Sequence, residues 1–384
     1  MENLIEKIPP NEKLSIENIG WTLGNDCPYR CNQCYSLTAR LKGKDLESKH
    51  VDRIVDQLSI NKIKTVNLGG NEPIFTNGLD VKKTKLPYII KSLVDKNILV
   101  GLTTAGVTLQ HLIRYYGDYF LLLNDVDVSI DSPFKWEHDK NRGAQLFDSA
   151  IWVANMCQAQ GIEHTLVMCG MNWNLSESHL QGLINLAKAT GSNLRINYLK
   201  PIEEKHLDIF PSARQYYESA QYLIDRCSIV DLGEPLLSSV YSDLEKGCPC
   251  GTKSFRIHSI TPDGKVPVSP CVYMHDYRYG DLLKDDLIDI INSNQFKAFR
   301  QRRSNPANIP GCNCCEHLNS CRGGCAARSS LFHKNKNILE VKDPYCLKDY
   351  TETIVGSSLI SDVNFGQKSL VHRDYLCTLI LSPK

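Results

Sequence analysis

The sequence predicts an α/β fold: a partial (β/α)6 barrel of the TIM type, followed by a smaller cysteine-rich domain. Three observations carry this. From Ile16 to about Cys227, short apolar strand candidates alternate with amphipathic stretches and no long turn-rich gap intervenes, which implies a parallel sheet with helices outside. Residues suited to ligand binding stand at the ends of several of these strands, and barrel sites gather at the carboxyl ends of strands. Beyond the stretch Cys227 to Leu244, cysteine, glycine and proline rise and apolar periodicity falls, with nine of the 16 cysteines between 248 and 346.

Taken in order, strands are expected at Asn18 to Leu23, Thr65 to Leu68, Leu99 to Thr104, Val126 to Ile130, Thr165 to Cys169 and Leu194 to Leu199. Between them, helices are expected at Lys49 to Leu58, Pro87 to Lys96, Leu109 to Tyr116, Ala144 to Gln160 and Glu177 to Thr190. In the first, Val51, Ile54, Val55 and Leu58 share one face. A further helix, Ala213 to Asp225, leads out of the barrel. The organisation read from this is a lead-in over 1–15, the barrel over 16–227, a linker with helix over 228–247, the cysteine-rich domain over 248–346 and a C-terminal extension over 347–384. The cysteine-rich part is poor in continuous apolar pattern, so metal clusters are expected to organise it. In the extension, Ser369 to Ser382 reads as a strand, with Cys377, Leu379 and Leu381 on one face, that docks on a sheet edge or a partner.

Composition narrows the function. The 44 basic and 43 acidic residues nearly cancel, which argues against nucleic acid or a membrane as the main partner. Met1 to Ser15 has no apolar signal-peptide core, and nowhere do eighteen apolar residues run together. A soluble protein of a reducing cytoplasm is expected. A disulfide framework is the competing reading of the cysteines, but adjacent Cys314 and Cys315, and Cys248 with Cys250, suit metal better.

The most reactive-looking stretch is Cys27-Pro28-Tyr29-Arg30-Cys31-Asn32-Gln33-Cys34, a C-x3-C-x2-C loop after the first strand. Three soft thiolates this close can wrap one face of an iron–sulfur cube and leave one iron open, whereas mononuclear zinc wants a fourth protein ligand. Buried small hydrophobes or a zinc knuckle are the bland alternatives. This motif resembles the cluster loop of the radical S-adenosylmethionine (SAM) superfamily, with Gln33 where the family usually has an aromatic residue and Tyr35 just after the motif. The resemblance implies that SAM chelates the open iron and is cleaved to a 5′-deoxyadenosyl radical, and that Tyr35 meets the adenine side.

Further stretches fit the same resemblance. Leu68-Gly69-Gly70-Asn71-Glu72-Pro73 is similar to the family's Gly-Gly-Glu-Pro element, with Asn71 before Glu72; it implies that Gly69, Gly70 and Glu72 meet the SAM amino group. The fourth strand, carrying Ser129 and Asp131, and the trailing Arg142-Gly143 imply contacts to ribose and to the SAM carboxylate. Asn197, on the sixth strand, is implied on the adenine and ribose side.

The run Cys312 to Cys325, taken through Cys312, Cys315, Cys321 and Cys325, reads C-x2-C-x5-C-x3-C. With Cys250, Gly264 and Cys271 upstream and Cys346 downstream, it resembles the SPASM extension of the same superfamily. The family's interleaved ligation implies Cys248, Cys250, Cys271 and Cys325 on a first auxiliary cluster, and Cys312, Cys315, Cys321 and Cys346 on a second. The cofactors implied are thus three 4Fe-4S clusters, one SAM-binding and two auxiliary, and SAM. Cys314 has no place in the pattern. Val272 follows Cys271, where sulfatase-maturating members have a catalytic aspartate, which lowers formylglycine synthesis as the function.

The expected function is a radical SAM oxidoreductase that abstracts hydrogen from a side chain of a peptide or protein. A flavodoxin- or ferredoxin-type donor is expected to supply electrons. Only about fifteen residues precede the first strand, too few for a fused peptide-recognition domain, so a separate recognition protein is a candidate partner. A small-molecule substrate (a sugar, tetrapyrrole or amino acid) and a non-enzymatic iron–sulfur or zinc protein are the alternatives.

Overall fold

The computed structural model describes residues 14, 18–36, 43–241, 247–350, 370, 371, 373 and 375–384. All of the expected lead-in but Leu14, and Ser369 at the start of the expected tail strand, lie outside them. Six strands run parallel in sequence order: β1 (Asn18–Thr22), β2 (Thr65–Gly69), β3 (Leu99–Thr104), β4 (Asp125–Ser129), β5 (Glu163–Gly170) and β6 (Asn193–Tyr198). Helices α1 (Ser48–Ile60), α2 (Leu86–Asp95) and α3 (Val107–Tyr116) follow the first three strands, and α6 (Glu177–Thr190) follows β5.

After β4 the helix expected at Ala144 to Gln160 is α5 (Phe147–Gln160), and a further helix that the pattern did not predict, α4 (Lys135–Arg142), precedes it after a break. The break lies at Gly143, which ends α4 in the left-handed conformation that a glycine adopts without a Cβ clash. This corner sets α4 across the carboxyl end of β4, where its last residues reach the cysteine loop. In α1 the foreseen face is the buried one, Val51, Ile54, Val55 and Leu58; each such side chain contributes about 1.5–3 kcal/mol by leaving water. Among the described residues no helix is long and apolar enough to cross a membrane.

The partial barrel is widened at both edges into one ten-stranded sheet, ordered β7-β10-β6-β5-β4-β3-β2-β1-β8-β9. Here β8 (Ser254–Ile257) pairs parallel to β1, and β9 (Val268–Ser269) pairs antiparallel to β8. The cysteine-rich part therefore does not stand on metal sites alone. Its Phe255, Ile257, Val268, Leu282, Leu287 and Phe296 share one apolar core with Ile19 and Trp21 of β1. The expectation of a coreless domain is corrected for a simple reason: the missing half of its apolar surface is supplied by the barrel. The remaining helices are α7 (Ala213–Arg226), α8 (Pro235–Tyr241), α9 (Leu287–Ile291), α10 (Asn294–Ser304), α11 (Leu318–Cys321) and α12 (Ala326–Phe332).

At the other edge, the stretch expected as a linker contains a strand, β7 (Cys227–Leu232). The tail strand is the shorter β10 (Leu379–Pro383), and it lies between β6 and β7, antiparallel to both, instead of on an open edge. The Gly233 N–H donates to the Thr378 carbonyl at 2.8 Å, and Thr378 Oγ1 donates to the Ile196 carbonyl at 3.0 Å. A Cβ on Gly233 would stand 2.7 Å from the Leu376 carbonyl oxygen. Gly233→Val is accordingly expected to cost about 1–3 kcal/mol by overpacking. Its signature is faster hydrogen exchange across β10, with β2 and β3 unchanged.

Candidate active site

A cavity of about 1160 Å3, open mouth included, lies at the carboxyl ends of β1 to β6. Cys27, Cys31 and Cys34 line it. Their loop is fixed by its backbone: Asn32 N–H donates to the Asn141 carbonyl at 3.0 Å, Cys34 N–H to the Cys31 carbonyl at 3.1 Å, and His206 Nε2 meets the Asn32 carbonyl at 3.0 Å. Burial pushes the Cys31 thiol up to about 11, with nearby Arg142 pulling the other way. Thiolate formation there is left to a bound cation.

Of the eight expected cofactor contacts, Tyr35, Gly70, Glu72, Ser129, Asp131, Arg142 and Asn197 line this cavity. Gly69, the last residue of β2, does not stand among the lining residues; its carbonyl accepts the Leu23 N–H at 3.2 Å and holds the exit of β1. Gly70 has φ of +96°, and a Cβ on it would come within 2.5 Å of Arg256 Nη2 and 2.6 Å of Thr22 Oγ1. A bare backbone is the sole fit at that turn.

Glu72 differs from expectation in what it binds. Its Oε1 accepts from the Thr108 N–H at 2.9 Å, from Thr108 Oγ1 at 2.6 Å and from the Thr104 hydroxyl, while Oε2 accepts from the Ala105 N–H at 2.9 Å. The carboxylate thus serves the amino end of α3, where orphan N–H groups and the helix dipole favour negative charge. One acceptor position on Oε2 is left for a ligand. Asn71, the extra residue of the motif, ties two segments: Ser36 Oγ donates to its Oδ1 at 3.0 Å, and its Nδ2 donates to the Gly24 carbonyl at 3.0 Å.

Asp131 is the hub of the site, and it explains Gln33. Its Oδ2 accepts from Gln33 Nε2 at 2.7 Å, Asn141 Nδ2 at 3.0 Å and Arg142 Nε at 2.7 Å, while Oδ1 accepts from the Cys169 N–H at 3.4 Å. Asn141 Nδ2 also donates to Gln33 Oε1 at 2.9 Å. Burial works against the Asp131 charge, yet Arg142 and His138 outweigh it and hold the carboxyl below its usual range. An aromatic ring at position 33 could make neither amide bond. Gln33→Leu removes both and is expected to cost roughly 1–3 kcal/mol, seen as faster exchange of the Asn32 and Cys34 amides.

The aromatic contacts lie elsewhere. Tyr35 and Tyr273 meet edge to face at 5.3 Å, and the Lys200 ammonium stands 5.6 Å from the Tyr273 ring centre. Lys200, Tyr273 and Tyr375, none of them among the expected contacts, all line the cavity. For Tyr273 the signal was its place two residues after Cys271. Asn197 Oδ1 is buried without a hydrogen-bond partner, an acceptor that a bound ligand's donor would satisfy. This orphan acceptor and the row of soft thiols fit a polar ligand such as SAM beside a thiolate-held cluster.

The cysteine-rich part gathers two further thiol groups. Cys248, Cys250, Cys271 and Cys325 are buried together, and a fifth, Cys377 of the tail, joins them with its Sγ 3.2 Å from that of Cys248. The face expected to carry Cys377, Leu379 and Leu381 is buried. Cys312, Cys315, Cys321 and Cys346 surround a second, smaller cavity. Cys314 is exposed, with Lys348 Nζ 3.5 Å from its sulfur. Among the described residues no group of three Cys, His, Asp or Glu side chains is arranged, as it stands, to hold a metal ion. The fit therefore rests on shared burial and on four thiols about one cavity, the donor set iron–sulfur clusters take.

Comparison with known proteins agrees with this geometry. Residues 21–184 match the model of the radical SAM superfamily, and residues 248–316 match that of an iron–sulfur cluster-binding domain, SPASM. The chain is 24% identical over 349 residues to mycofactocin maturase MftC of Mycobacterium tuberculosis, covering 86% of this chain and 83% of that protein. Streptococcus suis SuiB, solved with its precursor peptide SuiA, superposes with a TM-score of 0.64 at 16% identity, over 87% of this chain and 76% of SuiB. The structure of anSMEcpe with bound AdoMet superposes with a TM-score of 0.62 at 18% identity, over 86% and 90% of the two chains.

Proposed function

Since the chain belongs to the radical SAM superfamily and carries a SPASM iron–sulfur cluster-binding domain, we propose that it is a peptide maturase, altering a side chain of a peptide substrate. The observation that carries this is the union of two features in one cavity. The three-cysteine loop lies on its wall, and the residues next to the first auxiliary thiols, Val272 and Tyr273 after Cys271 and Tyr375 and Leu376 before Cys377, form another part of that wall. Substrate held there would lie between the two metal groups. Likeness to MftC, a maturase, along most of the chain and to the fold of SuiB, solved with a precursor peptide, supports the substrate class.

In this reading Cys27, Cys31 and Cys34 hold the SAM-binding cluster, Cys312, Cys315, Cys321 and Cys346 hold one auxiliary cluster, and the buried thiols around Cys250, Cys271 and Cys325 hold another. Bound together, the first cluster and SAM supply hydrogen-atom abstraction from an unactivated C–H bond, with 5′-deoxyadenosine as by-product. Asp131 positions Arg142, whose pairing uses Nε and leaves its other nitrogens for an anionic ligand. Tyr35, Ser129 and Asn197 contact the nucleoside, and Gly70 lets backbone approach the ligand's amino group while Glu72 holds the adjoining turn. Val272, Leu376 and the Tyr273 ring give the substrate side an apolar wall that excludes water. The barrel over 16–227 and the cluster domain over 248–346 then divide the work between SAM cleavage and electron handling. A flavodoxin- or ferredoxin-type donor and a separate peptide-recognition protein complete the set of partners.

Anaerobically reconstituted protein is expected to carry about twelve irons per chain, to form 5′-deoxyadenosine with SAM and a strong reductant, and to shift the mass of a cognate precursor peptide. About four irons would remove the auxiliary clusters from this reading, and no 5′-deoxyadenosine would sink it altogether.

A further inference from the structure

Cys377 lies far from every other cysteine in sequence, yet it is 3% exposed, and Cys248, Cys250, Cys271 and Cys325 around it are between 3% and 6% exposed. Its thiol meets Cys248 Sγ at 3.2 Å and also faces the thiols of Cys250 and Cys325. Five thiols thus share a place where a 4Fe-4S cluster takes four. We propose that Cys377 is a ligand of the first auxiliary cluster, together with Cys250, Cys271 and Cys325, and that Cys248 is the thiol left out. This rests on the reading that an iron–sulfur cluster occupies the site.

Chain geometry selects Cys377 over Cys248, whose own carbonyl accepts from Arg303 Nη1 at 2.8 Å. Cys248 and Cys250 flank Pro249, so both leave the chain on one short turn, whereas a cube's corners point apart. Cys250, Cys271, Cys325 and Cys377 come from four separate segments and can enclose it. Cys377 is also held in place before any metal binds. Its carbonyl accepts from Lys200 Nζ at 3.3 Å, and on either side the Tyr375 carbonyl accepts from Ser254 Oγ at 2.6 Å and the Thr378 carbonyl from Gly233 N–H at 2.8 Å. The Tyr375 hydroxyl meets Arg256 Nη1 at 2.6 Å. A ligand so fixed loses little freedom on binding metal.

The consequence reaches the active site. Tyr375 and Leu376 line the large cavity, so a bond from Cys377 to the cluster ties the wall of the substrate site to the auxiliary metal. Loading the cluster and shaping the cavity become one event.

The test uses the full chain with Cys27→Ala, Cys31→Ala and Cys34→Ala, which leaves the two auxiliary sites and a baseline of about eight irons. A baseline near zero overturns the cluster reading itself, whatever Cys377 does. On a baseline of eight, adding Cys377→Ala is expected to lose about four irons or to produce the electron paramagnetic resonance signal of a three-iron cluster, while Cys248→Ala changes neither iron nor spectrum. Unchanged iron and spectrum in Cys377→Ala overturn the proposal, as does a Cys248–Cys377 disulfide found by peptide mapping of the loaded protein. If both variants lose iron, selenocysteine at position 377 decides without disturbing packing. Iron–selenium scattering at the selenium absorption edge supports the assignment, and its absence overturns it.

Discussion

Cys27→Ala, Cys31→Ala or Cys34→Ala, each alone, is expected to bring 5′-deoxyadenosine formation from SAM down to the level of protein-free controls. The argument is one of ligand count. In the proposed arrangement three thiolates hold the SAM-binding cluster and leave one iron open for SAM, so losing any thiolate leaves two protein ligands for four irons. Misfolding of the loop would give the same loss, and the structure separates the two. The loop is held by Asn32 and Gln33 through Asn141, Asp131 and His206, none of which touches a cysteine side chain in doing so. Amide exchange at Asn32 should therefore stay slow in the alanine variants. Cys312→Ala acts in a different cavity, lined by Leu236 of α8 and Leu318 of α11, and is expected to lower iron content while SAM cleavage persists. Cys314→Ala, at an exposed thiol, is expected to change neither. Chromatographic assay of 5′-deoxyadenosine beside iron counting checks all of these; cleavage that survives in the Cys27→Ala, Cys31→Ala, Cys34→Ala triple variant would falsify the central assignment.

What could be read in the sequence was what local periodicity and motif spacing encode. The six parallel strands fall within one or two residues of their expected bounds because each is a short apolar run set off by an amphipathic helix. The cysteine loop and the strand-end residues followed from the same order. What could not be read was everything set by contacts distant in sequence. Asp131 sits 98 residues from Gln33, so nothing near Gln33 announces that its amide has a carboxylate to bind. Glu72 was legible as a strand-end carboxylate, but that its donors are the amino end of α3 depends on how β2 and β3 pair. The insertion of β10 between β6 and β7, and with it the arrival of Cys377, joins segments more than a hundred residues apart. In the cysteine-rich part spacing singled out candidate ligand cysteines, yet its core was hidden, since half of that core belongs to β1 and its neighbours.

A buried ionic triad ties the cysteine-rich part to the segment that follows β7, and breaking it is expected to cost more stability than any other single change argued above. Arg328 of α12 is fully buried, three residues after Cys325. Its Nη1 donates to Glu234 Oε1 at 3.0 Å and its Nη2 to Glu234 Oε2 at 3.2 Å, while Nε and Nη2 each donate to Asp343 at 2.8 Å. The guanidinium also lies 4.7 Å from the Tyr345 ring centre. Burial alone would lower the pKa of this arginine, but Asp343 and Glu234 reverse that and hold the charge. Such a triad adds little over a well-packed apolar core, because desolvation offsets most of its attraction; breaking it is another matter, since removing one member strands the others. Arg328→Met leaves two carboxylates in the interior. Lys200, 3.4 Å from Glu234 Oε1, offsets part of one, and Asp343 keeps the Cys325 and Tyr345 N–H groups. The expected cost is about 3–5 kcal/mol. At the usual unfolding entropy per residue, this lowers the apparent melting temperature of a 384-residue chain by roughly 4–6 °C. Adding Glu234→Gln and Asp343→Asn to Arg328→Met should recover much of that loss, because the stranded charges are then gone. A triple variant no more stable than Arg328→Met would show that guanidinium packing against Tyr345 and Tyr216, and not charge, is what Arg328 contributes to stability.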